Sequence, residues 1–428
     1  MPTYDLPYGR GSIPLNLSTH AHVEQILPSK AEAASDPEAT VAEAVAHPVD
    51  GRPLSQYRGV RKVAIAINDK TRPVPHAVML PPLLRGLESL GFGPEDVTLI
   101  IATGTHIPMP PETFYKVVPP EILARYPVIS HDCDADDLVM LGTTVRGVPV
   151  RANRRYMEAD LRIVVGNIEP HHFAGFSGGV KTAAIGLAGR ETIAKNHSLL
   201  RDPRSVLARY DDNPLRQDIE EIGHRVDIHF ALNVVMNDDK EIVAAFAGDP
   251  WSVIEVGIPW VRRIYEEPVH APFDVMITCP GGYPKDINLY QSHKAVSCAN
   301  RVTQEGGKII LVAACEDGVG SRGYVRYMAR GFDSHEAVMA QFVREPFRIG
   351  PHKAYIFGRD AVRLDDILIV SEIDPAQIRQ LLLTPASLEE AIASAIEPLG
   401  PSSRIGIMPY ANATIPVLQP SSEQVDGL

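Results

Sequence analysis

Residues 161–182 read LRIVVGNIEPHHFAGFSGGVKT. An apolar run rich in Val and Ile gives way to two adjacent histidines, a glycine-rich turn, and then Lys181 and Thr182. A short apolar run of this kind suits a strand buried on both faces, and the glycines suit a tight turn into a helix. Strand, loop and helix in that order are the repeating unit of an α/β sheet.

The same pattern recurs along the chain. Apolar runs stand at VAIAI (63–67), VTLIIAT (97–103), FDVMITC (273–279), KIILVAAC (308–315) and RIGIM (404–408). Helical patterns lie between many of them: 76–90, 213–226, 252–267 and 334–345. Asn213 followed by Pro214 is a helix start, as is Ser334 with Glu336 close behind. The alternation predicts α/β architecture with mostly parallel or mixed sheets. EEPVHAP (266–272) ends a helical pattern, carries two prolines and precedes a strand, so it marks a domain boundary. The first 50 residues are poor in periodicity and read as a surface wrap, and the tail PSSEQVDGL reads as frayed.

Composition narrows the class. The chain has 428 residues, enough for two to three domains and for a core that needs no disulfide or metal staples. Asp and Glu outnumber Lys and Arg by 53 to 41, a net charge of -12, which argues against extended nucleic-acid binding. Cys133, Cys279, Cys298 and Cys315 form no CxxC pair, so neither a disulfide framework nor a thiolate zinc site is expected. No apolar stretch has the length of a membrane span, and the chain reads as cytoplasmic. Nothing in the sequence speaks to oligomeric state.

Ligands of parallel sheets bind beyond the carboxyl ends of the strands. The loops there are NDKTRPVPH (68–76), GTHIPMPPE (104–112), NIEPHHFAGFSGGVK (167–181), PGGYPKDINLYQSHK (280–294) and EDGVGSRG (316–323). GFSGGVKT (175–182) has the length of a Walker A motif but carries Val180 where that motif needs glycine. Its consecutive glycines still allow backbone N–H groups to converge on a phosphate or carboxylate. A tight turn with an exposed lysine is the plainer reading. GVGSRG is a literal GxGxxG with Gly318, Gly320 and Gly323, and Asp333 or Glu336 would be its ribose acid. The acid should end a second strand, whereas 334–345 reads as a helix, so the motif is weak.

His106, His171 and His172 fall in loops at strand ends, and His197 lies in AKNHSLL. A lone histidine is more often structural than functional, and these lack HExxH spacing. Imidazoles gathered from separate loops can hold a metal or form an acid/base pair. Arg72 and Lys294 suit an anionic substrate, and Gln291 shares a helical face with Lys294. A solvated helix face is the competing reading of that last pair.

Five motifs in order give the chain a resemblance to the nickel-dependent lactate racemase family: DKTRPVP (69–75), GTHIPM (104–109), PHHFAGFSGGVK (170–181), NHSLL (196–200) and GGYPKDINLYQSHK (281–294). ACEDGVG (314–320) also looks like a family segment. The resemblance spans about residues 60–410. It implies two α/β domains with the active site in the cleft between them. The first would hold 1–267 and take back the last strand in 398–428; the second would span 268–397. It implies a nickel-pincer nucleotide, Ni(II)-pyridinium-3,5-bisthiocarboxylic acid mononucleotide, supplied by cofactor-synthesis enzymes. Lys181 matches the lysine that can tether the cofactor through a thioamide, and His197 matches the nickel ligand. Asp69, Lys70, Thr71 and Arg72 match the cofactor-contacting segment, with Arg72 also near substrate. Gly178 and Gly179 are the candidate phosphate site. His106 and His171 match the acid/base pair, while His172 has no assigned role. Tyr290, Gln291 and Lys294 match substrate-binding positions. The segment after Lys181 reads TAAIGLAG, where many relatives carry a proline, and Tyr355 is the candidate for an aromatic ring over the cofactor.

The implied activity is racemisation or epimerisation of a 2-hydroxy acid. Its Cα–H is a poor acid, so loss of hydride with loss of the hydroxyl proton is the easier route to a planar 2-oxo acid. Inversion then needs acid/base groups on both sides, which two histidines from separate loops supply. The rivals are an NAD-dependent 2-hydroxy acid dehydrogenase using GVGSRG, and a non-catalytic protein of the same fold that binds the cofactor or the acid.

Overall fold

The computed structural model describes residues 3–17 and 22–419; the tail reading of 420–428 lies outside them. The chain forms two compact units, Lys30–Ile264 and a second made of Met1–Ser29 with Tyr265–Leu428. Each is built on a six-stranded sheet. The strands of these sheets are numbered in chain order: β1 (His22–Gln25), β2 (Val63–Asn68), β3 (Val97–Ala102), β4 (Val128–Ser130), β5 (Leu161–Asn167), β6 (Phe230–Met236), β7 (Ile242–Gly248), β8 (Phe273–Thr278), β9 (Thr303–Val312), β10 (Asp366–Val370), β11 (Thr384–Pro385) and β12 (Arg404–Met408).

The Lys30–Ile264 unit has strand order β7-β6-β5-β2-β3-β4. All neighbours are parallel except β6 and β7. Its core sets Ile65, Leu99, Ile163 and Leu232 of the sheet against Met79 and Leu83 of the helix His76–Ser89. The second sheet is parallel throughout, in the order β11-β10-β9-β8-β12-β1. Two α/β units with parallel and mixed sheets are what the alternating pattern predicts.

Helix starts follow the capping chemistry. Asn213 accepts a hydrogen bond from Arg216 N–H and Ser334 accepts one from Ala337 N–H, each satisfying a donor that the first turn leaves open. The helices used below are α1 (Arg190–Ser198), α2 (Pro214–Val226), α3 (Leu289–Ala299) and α4 (His352–Ala361).

The domain assignment is corrected at both ends of the chain. Residues 404–408 do not rejoin the first sheet: β12 lies between β8 and β1 in the second, with Gly406 paired to Met276. A Cβ on Gly406 would lie 2.1 Å from Met276 Sδ, so a larger residue would force the Met276 side chain to move. Residues 3–17 and 22–29 also belong to the second unit, and they add to its core as well as its surface. Thr3–Tyr8 and Gly11–Asn16 form an antiparallel hairpin that places Leu6 and Leu15 in the second core, and Pro37–Ala46 is a helix. The boundary after the helix Pro250–Tyr265 falls at 264/265, beside the expected 267/268.

Candidate active site

In the Lys30–Ile264 unit β2 ends at Asn68 and the chain turns at once through Asp69 to Arg72. Asp69 is 4% exposed, and its Oδ1 accepts from Thr71 N–H at 3.0 Å and Thr71 Oγ1 at 2.7 Å. Its Oδ2 lies 2.8 Å from Nδ1 of His106, which follows β3 across a turn made by Gly104 in a left-handed conformation. Burial pushes the Asp69 carboxyl up, but the bonds from His106 and Thr71 outweigh it and hold the group below its ordinary value. The charged carboxylate makes His106 Nδ1 the donor, so the Nε2 lone pair is free to take a proton. The ring is 49% exposed and reachable. Lys70, Thr71 and Arg72 are exposed beside it.

His171 sits in a two-residue strand, Pro170–His171, paired with Gly175–Phe176. A Cβ on Gly175 would lie 1.9 Å from the carbonyl oxygen of Arg209, so only glycine fits there. Ala174 N–H donates to His171 Nδ1 at 3.2 Å, which puts the neutral ring's proton on Nε2. Burial, followed by the charges of Lys181, Arg72, His172 and His197, drives His171 well below the usual imidazole value. The Phe173 ring stands edge-on to both His171 and His197, at 4.7 and 5.2 Å between centres. Lys181, Arg72, His172 and His197 are therefore all within electrostatic reach of His171.

The glycine turn does less for an anion than its sequence suggests. Gly178 and Gly179 both take positive φ, but Gly179 N–H donates to the buried Asn233 Oδ1 at 2.7 Å. The carbonyls of Phe176 and Gly178 accept from the buried Arg216 guanidinium at 2.9 and 3.1 Å. Gly179 thus has no N–H left for a phosphate, and the turn is held by side chains from β6 and α2. Val180 is fully buried, and a Cβ on Gly223 of α2 would lie 2.6 Å from its side chain. That packing is why valine stands where a Walker A loop needs glycine. Lys181 follows, half-buried, its amine pushed down to about 7 by burial, then by Arg72 and Arg216, with Glu169 opposing. A large share of it is therefore a neutral nucleophile at neutral pH.

His197 lies in the last turn of α1. Its Nδ1 is 3.2 Å from Asn196 Oδ1. Asn196 Nδ2 donates to Leu215 O at 3.2 Å and to Asp218 Oδ2 at 2.9 Å, which fixes the amide's orientation. Asp218 is held in turn by Thr144 Oγ1 at 2.6 Å. His197 Nδ1 must then donate, which fixes the neutral ring's tautomer. Burial, then Lys181, pushes this imidazole down to about 3, so it stays neutral as a metal ligand must.

These residues fit the cofactor that the motifs imply. Among the described residues the one cluster of at least three possible ligand side chains is Asp132, Cys133 and Asp134, and Asp134 is already bonded to Arg190 at 2.7 Å. At His197 the chain offers one imidazole, which suits a metal whose other donors come with an organic ligand. Asn68 Oδ1 is buried without a hydrogen-bond partner, and it crowds the space over Gly166 together with Thr182 Oγ1.

In the second unit Asn288 caps α3 by accepting from Gln291 N–H. Leu289, Ser292, His293, Ala295 and Val296 face inward, leaving Tyr290, Gln291 and Lys294 half-buried on the other side. GVGSRG serves this helix. The carbonyls of Gly318 and Val319 accept from Leu289 and Tyr290 N–H, and Gly320 packs where a Cβ would meet Asn288 at 2.3 Å. The GxGxxG thus serves as a seat for the start of α3. Tyr355 is buried with its ring 5.2 Å from Phe342, in the hydrophobic interior; the ring beside Tyr290 is His352, at 6.2 Å.

Sequence reasoning missed Asn196, Asp218, Arg216 and Asn233. Arg216 and Asp218 carried a signal, since both sit on the buried side of an otherwise amphipathic α2. Asn233, in the middle of a fully buried strand, carried another.

Among the described residues no helix is long and apolar enough to cross a membrane. Family models described as the lactate racemase N-terminal domain and the lactate racemase C-terminal domain match residues 8–208 and 269–415. Lactate racemase of Lactiplantibacillus plantarum is 30% identical over 420 residues, covering 96% of this chain and 98% of its own. Lactate racemase of Thermoanaerobacterium thermosaccharolyticum is 29% identical over the same length. The solved lactate racemase apoprotein from that organism superimposes with a TM-score of 0.88 at 27% identity, covering 97% of this chain and all of its own. A Thermotoga maritima protein shares the fold at 19% identity, with a TM-score of 0.63 over 91% of this chain. Matched in both domains and along nearly its whole length, the chain belongs to the lactate racemase family.

Proposed function

We propose that the protein racemises or epimerises a 2-hydroxy acid, with His106 and His171 as its acid/base pair and a nickel-pincer nucleotide held by Lys181 and His197. The relatives' names support a racemase, and the observation that carries the rest is the gathering of Arg72, His171, Lys181 and His197 around one buried turn. When bound, the cofactor supplies a reversible hydride acceptor. The chain's residues do the proton work and the positioning.

His106 Nε2 takes the substrate's hydroxyl proton as hydride leaves Cα, and Asp69, bonded to Nδ1, stabilises the imidazolium. The resulting 2-oxo acid is planar. Return of hydride and a proton on the opposite side inverts the centre, with His171 supplying that proton. Charging His171 sacrifices the bond from Ala174 N–H, so it is the harder of the two to protonate. Arg72 and Lys294 hold the carboxylate, and Tyr290 and Gln291 fix the reacting carbon. Lys181, as a neutral amine, would hold an arm of the cofactor, and His197 would hold its metal.

A substrate deuterated at Cα tests this reading on enzyme made together with the cofactor-synthesis enzymes and nickel. Hydride transfer to a shielded acceptor returns the label, so the inverted product keeps its deuterium. Complete exchange with solvent hydrogen during inversion means proton abstraction instead and defeats the mechanism. A change in nicotinamide absorbance during turnover points to the dehydrogenase.

A further inference from the structure

Lys353 is a buried cation whose ammonium meets no carboxylate. Its side chain is 5% exposed at the start of α4, and Nζ lies 4.6 Å from the centre of the Tyr290 ring. Among the described residues that nitrogen makes no hydrogen bond or ion pair. The acid in its surroundings, Asp360, is engaged elsewhere. Its Oδ2 is 3.0 Å from His293 Nε2 and accepts from Ser297 Oγ at 2.6 Å, while Arg359 approaches Oδ1 at 4.0 Å. Burial, then the charge of Lys294, pushes the Lys353 amine down to about 7, with Asp360 opposing.

Burying an ammonium without a counter-ion is costly. The face of Tyr290 steadies the group but does not neutralise it. A position of this kind is stable in function when the counter-ion is a ligand. Tyr290 and Lys294 are one turn apart on the same half-buried face of α3, and Lys294 lies within electrostatic reach of Lys353 on α4, so two cations share one region. A monocarboxylate needs only one of them. An alkyl or polyhydroxy chain against Lys353 would leave its charge uncompensated.

We propose that Lys353 binds a second carboxylate, so that the substrate is a 2-hydroxy acid with a carboxylate at each end. The inference rests on the reading that Tyr290, Gln291 and Lys294 contact the substrate. It assigns Lys353 as the residue that selects among 2-hydroxy acids.

The test compares malate with lactate on the nickel-loaded enzyme, wild type and Lys353→Met, by calorimetric binding and by inversion rate. Methionine keeps an unbranched stem against Tyr290 and removes the charge. Wild-type enzyme should favour malate, and Lys353→Met should reduce the malate-to-lactate ratio about tenfold or more, through KM and with kcat little changed. An equal loss for both acids, or an unchanged ratio, overturns the assignment. Should the variant not fold, a wild-type preference for lactate overturns it as well. The two proposals fail separately. Lys353-dependent malate binding with no inversion of any acid defeats the reaction and keeps the pocket; inversion without dicarboxylate preference does the reverse.

Discussion

His106 and His171 carry their protons on opposite nitrogens. His106 is a donor at Nδ1 to a charged Asp69, while His171 accepts at Nδ1 from Ala174 N–H. A pair that works in both directions needs one neutral member to accept a proton and one charged member to give it back; His106 is set up for the first task, and His171 takes up the second only when Nδ1 is also protonated and the bond from Ala174 N–H is lost. His106→Ala and His171→Ala should each lower racemisation about 10²-fold or more while nickel stays bound, measured as inversion rate beside metal content. Asp69→Asn should also cut kcat, because it removes the charge that stabilises the His106 imidazolium. Retained kcat in that variant would show that Asp69 only packs the turn. Lys181 shows the cost side of the same site. Its folded value of about 7 lies below its unfolded 10.5, so the native state releases its proton first, and at pH 7 holding the amine out of water lowers stability. Lys181→Met should therefore raise the melting temperature of the metal-free chain by about 2–4 °C while losing the covalent link to the cofactor, read by intact mass. Residue types and spacing made these positions legible in the sequence. Their tautomers and buried partners were not, because Asn196, Asp218 and Asn233 act through contacts between distant segments.

Elements decide what the glycine turn is for. The sequence of GFSGGVKT, one residue short of a triphosphate loop, suggests a damaged anion site. The packing supplies another cause: Val180 fills the space over Gly223 of α2, and Arg216 and Asn233 hold the turn's backbone. Val180→Gly would restore the Walker A spelling. It should destabilise the chain by about 2 kcal/mol, through lost burial and added backbone freedom, and confer no nucleotide hydrolysis. Denaturant melts and a phosphate-release assay check both halves. Strands and helices with clear periodicity, such as 161–167 and 214–226, were legible from sequence. β6 and β7 were not, since Asn233 interrupts the apolar run of the one, and the other is diluted by three Ala and a Gly among its seven residues.

For the whole molecule, the architecture follows from alternating strands and helices, but the ownership of the chain ends does not. RIGIM reads as a buried strand from its residues alone, yet nothing local says which sheet it joins; that is set by its pairing with β8 and β1, both distant in sequence. Each unit also buries a neutral histidine outside the proposed chemistry, His76 in one and His293 in the other, both pushed down to about 4 chiefly by burial. Their folded values lie below the unfolded 6.5, so the unfolded chain takes up protons first as pH falls. Their contribution is fully present above pH 6.5 and is lost progressively down to about pH 4. Thermal melts of the wild type should fall across that window, and His76→Gln should flatten the fall for the Lys30–Ile264 unit. A melting temperature constant from pH 7 to 4 would contradict it.

The central claim is that this chain inverts 2-hydroxy acids with a bound nickel cofactor. Its most direct test is co-expression with the cofactor-synthesis enzymes and nickel, followed by metal analysis and chiral assay of a panel of 2-hydroxy acids from each single enantiomer. The account predicts bound nickel and approach to an equal mixture of enantiomers with no net oxidation; nickel-loaded protein that inverts none of the acids would contradict it.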